Sequence, residues 1–149
     1  MRAVLQRVAR ARVTVDGATV GAIGPGLLAL VGVAADDGPA DVGQVAAKIR
    51  DLRIFEDNQG KMNRSLGDVG GAVLAVSQFT LYGDARTGRR PPFDQAAPAE
   101  AGRLLFDALI AELRAAGVTV ETGTYRAHMQ VELVNDGPVT ILIDSRKAF

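Results

Sequence analysis

The 149-residue sequence contains no cysteine and one histidine, His128. The first absence excludes thiol nucleophiles, disulfides and Cys-ligated zinc. With a single His, a zinc site would have to be built from carboxylates, so no metal is expected, and nothing in the chain points to a cofactor. A Ser-His-Asp arrangement would need His128 to reach a serine such as Ser77, yet no serine here stands in a Gly-x-Ser-x-Gly context. His128 lies between Ala127 and Met129 near the start of an expected strand and reads as a surface or edge residue. Phosphate-binding glycine motifs are missing as well: Gly24-Pro25-Gly26 opens a strand, and Gly67 to Gly71 lacks the lysine and the helix such a loop needs. The acid pairs Asp36-Asp37 and Glu56-Asp57 occupy turn or helix-entry positions, where capping and solvation account for them. There is no excess of either charge, since 17 Lys and Arg balance 17 Asp and Glu, so a polyanion would have to be met by a local patch. No apolar run approaches the ~18 residues of a membrane span, and the N-terminus carries Arg2 and Arg7 without an apolar core or cleavage site. A cytoplasmic protein is expected.

What is present reads as one domain, residues 1–149, of mixed α and β structure. Alternation marks strands at Met1 to Val8, Arg12 to Val15 and Ala18 to Ile23, with Asp16-Gly17 as a hairpin signal. Leu27 to Val33 is apolar without alternation, as a strand covered on both faces would be. Val42, Val45, Ala46, Ile49 and Leu52 predict a helix over Pro39 to Leu52. Arg53 to Glu56 predicts a strand, Lys61 to Gly71 an irregular connection, and Ala72 to Val76 a buried strand. Tyr82 to Ala97 has no periodicity; unstructured stretches of this length are usually functional or disordered, and this one, with Arg86, Arg89 and Arg90, reads as functional. The strongest helical pattern runs over Pro98 to Ala116, closed by Gly117. Val118 to Glu121, Gln130 to Val134 and Val139 to Asp144 complete the strands.

Two stretches stand out against this frame. Asn135-Asp136-Gly137-Pro138-Val139-Thr140 predicts a turn between the last two strands, where a glycine leaves two backbone carbonyls uncovered. An ordinary hairpin turn explains the same residues. Ser77-Gln78-Phe79-Thr80-Leu81 sets three polar side chains around an aromatic ring at a strand end. Together with Met1-Arg2-Ala3-Val4-Leu5-Gln6-Arg7-Val8 at the front, and in this order, these stretches resemble the D-aminoacyl-tRNA deacylase family over essentially the whole chain.

The resemblance implies a three-layer fold of two sheets with helices on one side, a homodimer, and hydrolysis of the ester of D-aminoacyl-tRNA, with glycyl-tRNA as a further substrate and L-aminoacyl-tRNA rejected. Carried to the matching positions, Ser77, Gln78, Phe79 and Thr80 would line the site for the terminal adenosine and the ester, acting mainly through the backbone. Gly137 and Pro138, joined by a cis bond, would enter the partner subunit's site as a chiral filter. Arg7 would anchor that loop, and Met129 would touch the substrate end of the pocket. Such a site positions an activated ester, polarises its carbonyl with N–H groups and leaves the attack to an RNA hydroxyl or a water.

Each residue has a plainer reading too. Arg7 is equally a surface strand charge, and a Phe at a strand end such as Phe79 is more often a core ring than a stacking platform. Thr80 as nucleophile lacks a neighbouring base. Arg86, Arg89 and Arg90, with Lys61 and Arg64, supply either contacts to the acceptor stem or scattered solvated charge. Arg126 occupies a place where relatives are expected to carry glycine, which alters the pocket rim. The expected partners are the acceptor end of an aminoacyl-tRNA and a second copy of the chain, with no DNA and no membrane. A tRNA-binding module without turnover and a purely structural dimer are the other classes the sequence admits.

Overall fold

The computed structural model describes residues Met1–Phe149. Its organising element is β1 (Arg2–Val15), a 14-residue strand long enough to serve several partners. Along one edge it pairs antiparallel with β8 (Gln130–Asp144). Along the other it meets β3 (Gly26–Gly32) opposite Arg2 to Val8 and β2 (Ala18–Ile23) opposite Ala11 to Val15. From β3 the sheet continues with β6 (Ala72–Ser77) and β7 (Thr119–Thr122), both added in parallel. Parallel neighbours require a crossover, and α1 (Pro39–Asp51) and α2 (Ala99–Ala115) lie in the two crossovers. A separate two-stranded ribbon pairs β4 (Phe55–Glu56) with β5 (Met62–Arg64).

Why the strands bury both faces follows from the alternation of side chains along them. Leu27, Ala29 and Val31 of β3, with Val73 and Ala75 of β6, join Val45, Ile49, Leu109 and Leu113 from the helices in the main core. The intervening residues Leu28, Leu74 and Val76 point the other way, into a second cluster with Val8, Ala11, Val13 and Ile23. Each fully buried Leu contributes roughly 1.5–3 kcal/mol relative to exposure, so β3 and β6 form the most strongly held part of the sheet. Helix α1 starts at Pro39, which needs no N–H there, and Asp41 accepts from the Gly38 N–H at 2.9 Å.

Three sequence expectations need correction. The runs expected at Met1 to Val8 and Arg12 to Val15 belong to one continuous strand, Arg2–Val15. The expected strand at Arg53 shrinks to Phe55–Glu56, and part of the expected irregular stretch is its partner β5. Most important for the site, Asn135 to Thr140 does not reverse the chain: β8 runs through it, with Asp144 to Thr140 pairing Arg2 to Gln6 and Asn135 to Gln130 pairing Val8 to Thr14. Gly137 and Pro138 therefore sit in a bulge, inside the shift of register between the Gln6–Thr140 and Val8–Asn135 pairs, because both flanking runs are bound to the same long partner strand.

Candidate functional site

Strand β6 ends at Ser77 and passes into a single 3-10 turn, Phe79–Tyr82. The turn is fixed at both ends, since the Gln78 N–H donates to the Val31 carbonyl at 2.8 Å and the Gly83 N–H to the Thr80 carbonyl at 3.0 Å. At the start of such a turn the first N–H groups have no partner inside it, so those of Phe79 and Thr80 face outward from the helical ladder. Phe79 is 57 % exposed, which sets aside the core reading; its ring meets Phe93 edge to face, centroids 5.2 Å apart. Gln78 Nε2 donates to Thr80 Oγ1. Below the turn, Arg2 donates to the Leu81 carbonyl at 3.1 Å and lies 4.6 Å from the Tyr82 ring centre. Burial pushes the Tyr82 hydroxyl well above its ordinary range, so the ring serves as packing.

This turn is one wall of a cavity of about 540 Å³. Ser77, Gln78, Phe79 and Thr80 line that wall, and the loop from Tyr125 to Met129 lines another. The second wall is held from behind: the Tyr125 hydroxyl donates to the Ala99 carbonyl at 2.7 Å, at the start of α2. Met129 can lie where it does because Gly123 has no side chain; a Cβ there would stand 2.6 Å from its Sδ. Arg126 adopts φ +65°, the left-handed region that an L side chain occupies at some expense. The expectation of glycine at this position has its physical ground in that angle. His128 is exposed, as a surface residue should be, and also lines the cavity. No Asp or Glu is part of the lining, and His128, which forms no hydrogen bond to Ser77 or Thr80, is the one residue of the lining that could act as a base.

Arg7 has left the surface: it is 6 % exposed. Its Nε donates to the Asp136 carbonyl at 2.8 Å and its Nη1 to the Ile54 carbonyl at 2.9 Å. Asn135 Nδ2 returns to the Arg7 carbonyl at 2.8 Å and also reaches the Val139 carbonyl at 3.0 Å, closing the bulge on both sides. Between these clamps Gly137 and Pro138 are exposed, and the bond joining them is cis. Gly137 has φ +153°, and a Cβ on it would meet the Val139 nitrogen at 2.6 Å. Neither residue lines the cavity formed by Ser77 to Thr80 and Met129 of the same chain. The structure thus brings Ser77, Gln78, Phe79, Thr80 and Met129 together and places Gly137, Pro138 and Arg7 in a second group on β8 and β1.

The remaining cations divide. Arg86 is tied to Asp84, whose carboxyl that hydrogen bond holds down at about 2. Arg64 bonds Asn58 at 2.9 Å. Lys61, Arg89 and Arg90 are exposed and enter no ion pair. The segment that holds Arg89 and Arg90 is pinned at its ends, by Asp84 N–H on the Pro92 carbonyl at 3.0 Å and Ala97 N–H on the Val33 carbonyl at 2.9 Å. Tyr125 and Gly123 carry no signal in the sequence, because one lines the wall and anchors it through a distant bond to Ala99 and the other acts only by what it lacks.

Known proteins match this arrangement from end to end. The family model described as D-Tyr-tRNA(Tyr) deacylase matches residues 4–144. The D-aminoacyl-tRNA deacylase of Heliobacterium modesticaldum is 64% identical over 146 residues, covering 98% of this chain and 97% of that protein. That of Anaeromyxobacter dehalogenans is 63% identical over 149 residues, covering 100% of both. Among solved structures, one named c-Myc DNA Unwinding Element Binding Protein superposes with a TM-score of 0.91 at 38% identity, covering 97% of this chain and 98% of that one.

Proposed function

The chain belongs to the D-Tyr-tRNA(Tyr) deacylase family, and from that premise we propose that it is a hydrolase that cleaves the ester bond of D-aminoacyl-tRNA. It releases the free amino acid and tRNA, spares L-aminoacyl-tRNA and accepts glycyl-tRNA. The observation that carries the reading is the cavity wall itself. A turn that opens at Phe79 and Thr80, whose first main-chain N–H groups have no partner inside it, borders a space without carboxylates, which suits stabilisation of a developing oxyanion rather than side-chain nucleophilic attack. The terminal adenosine stacks by Phe79, and Ser77, Gln78 and Thr80 position the ester; an RNA hydroxyl or a bound water attacks.

Selectivity comes from Gly137 and Pro138. Their carbonyl oxygens, held by Arg7 through the neighbouring Asp136 carbonyl, flank the substrate α-carbon. An amino group can donate to them and a hydrogen is tolerated, whereas an L side chain meets oxygen at repulsive distance. A D side chain projects away, and glycine has none to reject. Since the pair stands apart from the chain's own cavity, the filter acts in the partner's site of a homodimer. The exposed apolar Val134 and Leu142 on β8 suit such a contact, within a three-layer fold. The setting is translation quality control in the cytoplasm.

Incubating the purified protein with matched D- and L-aminoacyl-tRNA tests the proposal. Hydrolysis of the D ester with the L ester left intact is expected. Binding without turnover would make the chain a tRNA-binding module, and neither binding nor turnover would leave a structural dimer.

A further inference from the structure

Among the residues that line the cavity, Arg126 is the only fixed positive charge, and His128 is the only other residue there that can carry one. No carboxylate shares the lining, and Arg126 enters none of the chain's ion pairs. Several other arginines in this chain are neutralised: Arg2 by Asp144, Arg12 by Glu132, Arg50 by Asp51, Arg86 by Asp84 and Arg146 by Asp36. Arg126 is also exposed, so its guanidinium is free to meet a ligand entering the mouth of the cavity. It is held there on a left-handed backbone, an unfavourable setting for an L residue whose side chain does nothing locally. The loop carrying it is not loose, since Tyr125 is bonded to Ala99 and the Ala127 N–H to the Thr124 carbonyl at 3.1 Å.

We infer that Arg126 is a phosphate-binding residue for the single-stranded 3′ end of the RNA substrate, gripping the phosphodiester next to the terminal nucleoside; this rests on the function proposed above. If the terminal nucleoside and its ester occupy the cavity, the adjoining phosphodiester lies at its mouth. A planar guanidinium with five donors matches two phosphate oxygens there, and no acid in the lining competes for it. Arg126 thereby sets substrate affinity, while the chemistry stays with the opposite wall.

The test uses equilibrium titration of the full-length protein with uncharged tRNA over a range of salt, for wild type, Arg126→Gln and Arg126→Lys, with circular dichroism as the check on folding. Arg126→Gln is expected to weaken binding about fivefold at moderate salt and to flatten the dependence of log affinity on log salt by about 0.7, the share of one single-strand phosphate contact. Arg126→Lys should keep the slope and lose only part of the affinity. With tRNA trimmed of its last two nucleotides, wild type and Arg126→Gln should bind alike. Equal slopes for wild type and Arg126→Gln on intact tRNA would overturn the inference, as would a slope change that persists on trimmed tRNA. D-ester hydrolysis by wild type is a separate readout: its absence alongside an Arg126-dependent slope would sink the deacylase reading and leave the phosphate contact standing.

Discussion

The Nε of Arg7 stands 2.8 Å from the carbonyl oxygen of Asp136, the residue before Gly137, and its Nη1 stands 2.9 Å from the carbonyl of Ile54. One buried guanidinium thus ties the bulge in β8 to the segment entering β4. Removing it leaves two carbonyls without their donor. Arg7→Ala is expected to lower stability by about 3 kcal/mol, since hydrogen bonds to a charged group are worth ~1.5–3 kcal/mol each; urea unfolding measures this. Arg7→Lys keeps the charge, cannot span both acceptors, and should fall between the two while discriminating poorly between D and L esters. Equal stability of Arg7→Ala and wild type would remove the anchor.

Gly137→Ala tests the bulge without touching its clamps. The added Cβ would stand 2.6 Å from the Val139 nitrogen and 2.7 Å from its Cγ2, at a φ that L residues rarely adopt. A loss of about 1–3 kcal/mol is expected for a residue forced into such a region. Chiral selectivity should fall in step, read as the ratio of D to L hydrolysis rates. Unchanged selectivity in a folded variant would place the filter elsewhere.

Thr80→Ala separates backbone from side-chain catalysis. The only side-chain partner of the Thr80 hydroxyl is the Gln78 amide, which donates to it and cannot take its proton. The variant should keep kcat within about tenfold, whereas deleting a true nucleophile removes about a millionfold in a serine hydrolase. Complete loss with an intact fold would restore Thr80 as the attacking group.

How far these features were legible depends on the distance over which each is decided. The β1–β2 hairpin and helix α2 were readable because turn residues and apolar spacing act within a few positions. The bulge in β8 was misread as a reversal because Asn-Asp-Gly-Pro carries the local chemistry of a turn. The strand that keeps the chain straight there lies far off in sequence; Asn135 bonds Arg7, 128 residues away. Ser77 to Thr80 stood out for polar side chains at the end of an apolar strand. Tyr125 gives no such signal, since the bond that steadies its wall runs to the Ala99 carbonyl, 26 residues away at a helix start.

Acid should loosen the join between the start of α1 and the chain end. The Ser145 hydroxyl donates to Asp41 at 2.6 Å and, foremost among its contacts, holds that carboxyl below its ordinary 3.8, against the opposing effect of burial. A carboxyl depressed in the folded state contributes stability that is present above its unfolded value and lost as pH falls through the folded one. Thermal unfolding followed from pH 7 to pH 2 should therefore show an acid limb that is shallower in Asp41→Asn, which cannot titrate. A variant with the same limb as wild type would assign acid sensitivity to other carboxyls.

Arg126 is where stability and substrate binding are expected to part. A residue at φ +65° sits in a region that disfavours L side chains by ~1–2 kcal/mol, and glycine enters it freely. Part of that gain is offset, because glycine has more freedom to lose on folding, so Arg126→Gly should raise stability by about 0.5–1 kcal/mol. Urea midpoints at constant m-value measure it. The same substitution removes the one fixed cation of the cavity lining, so KM for D-aminoacyl-tRNA should rise while kcat holds. A more stable protein with a weaker grip is what a strained residue kept for its ligand produces. A variant that gained stability with KM unchanged would make the strain a feature of the loop alone.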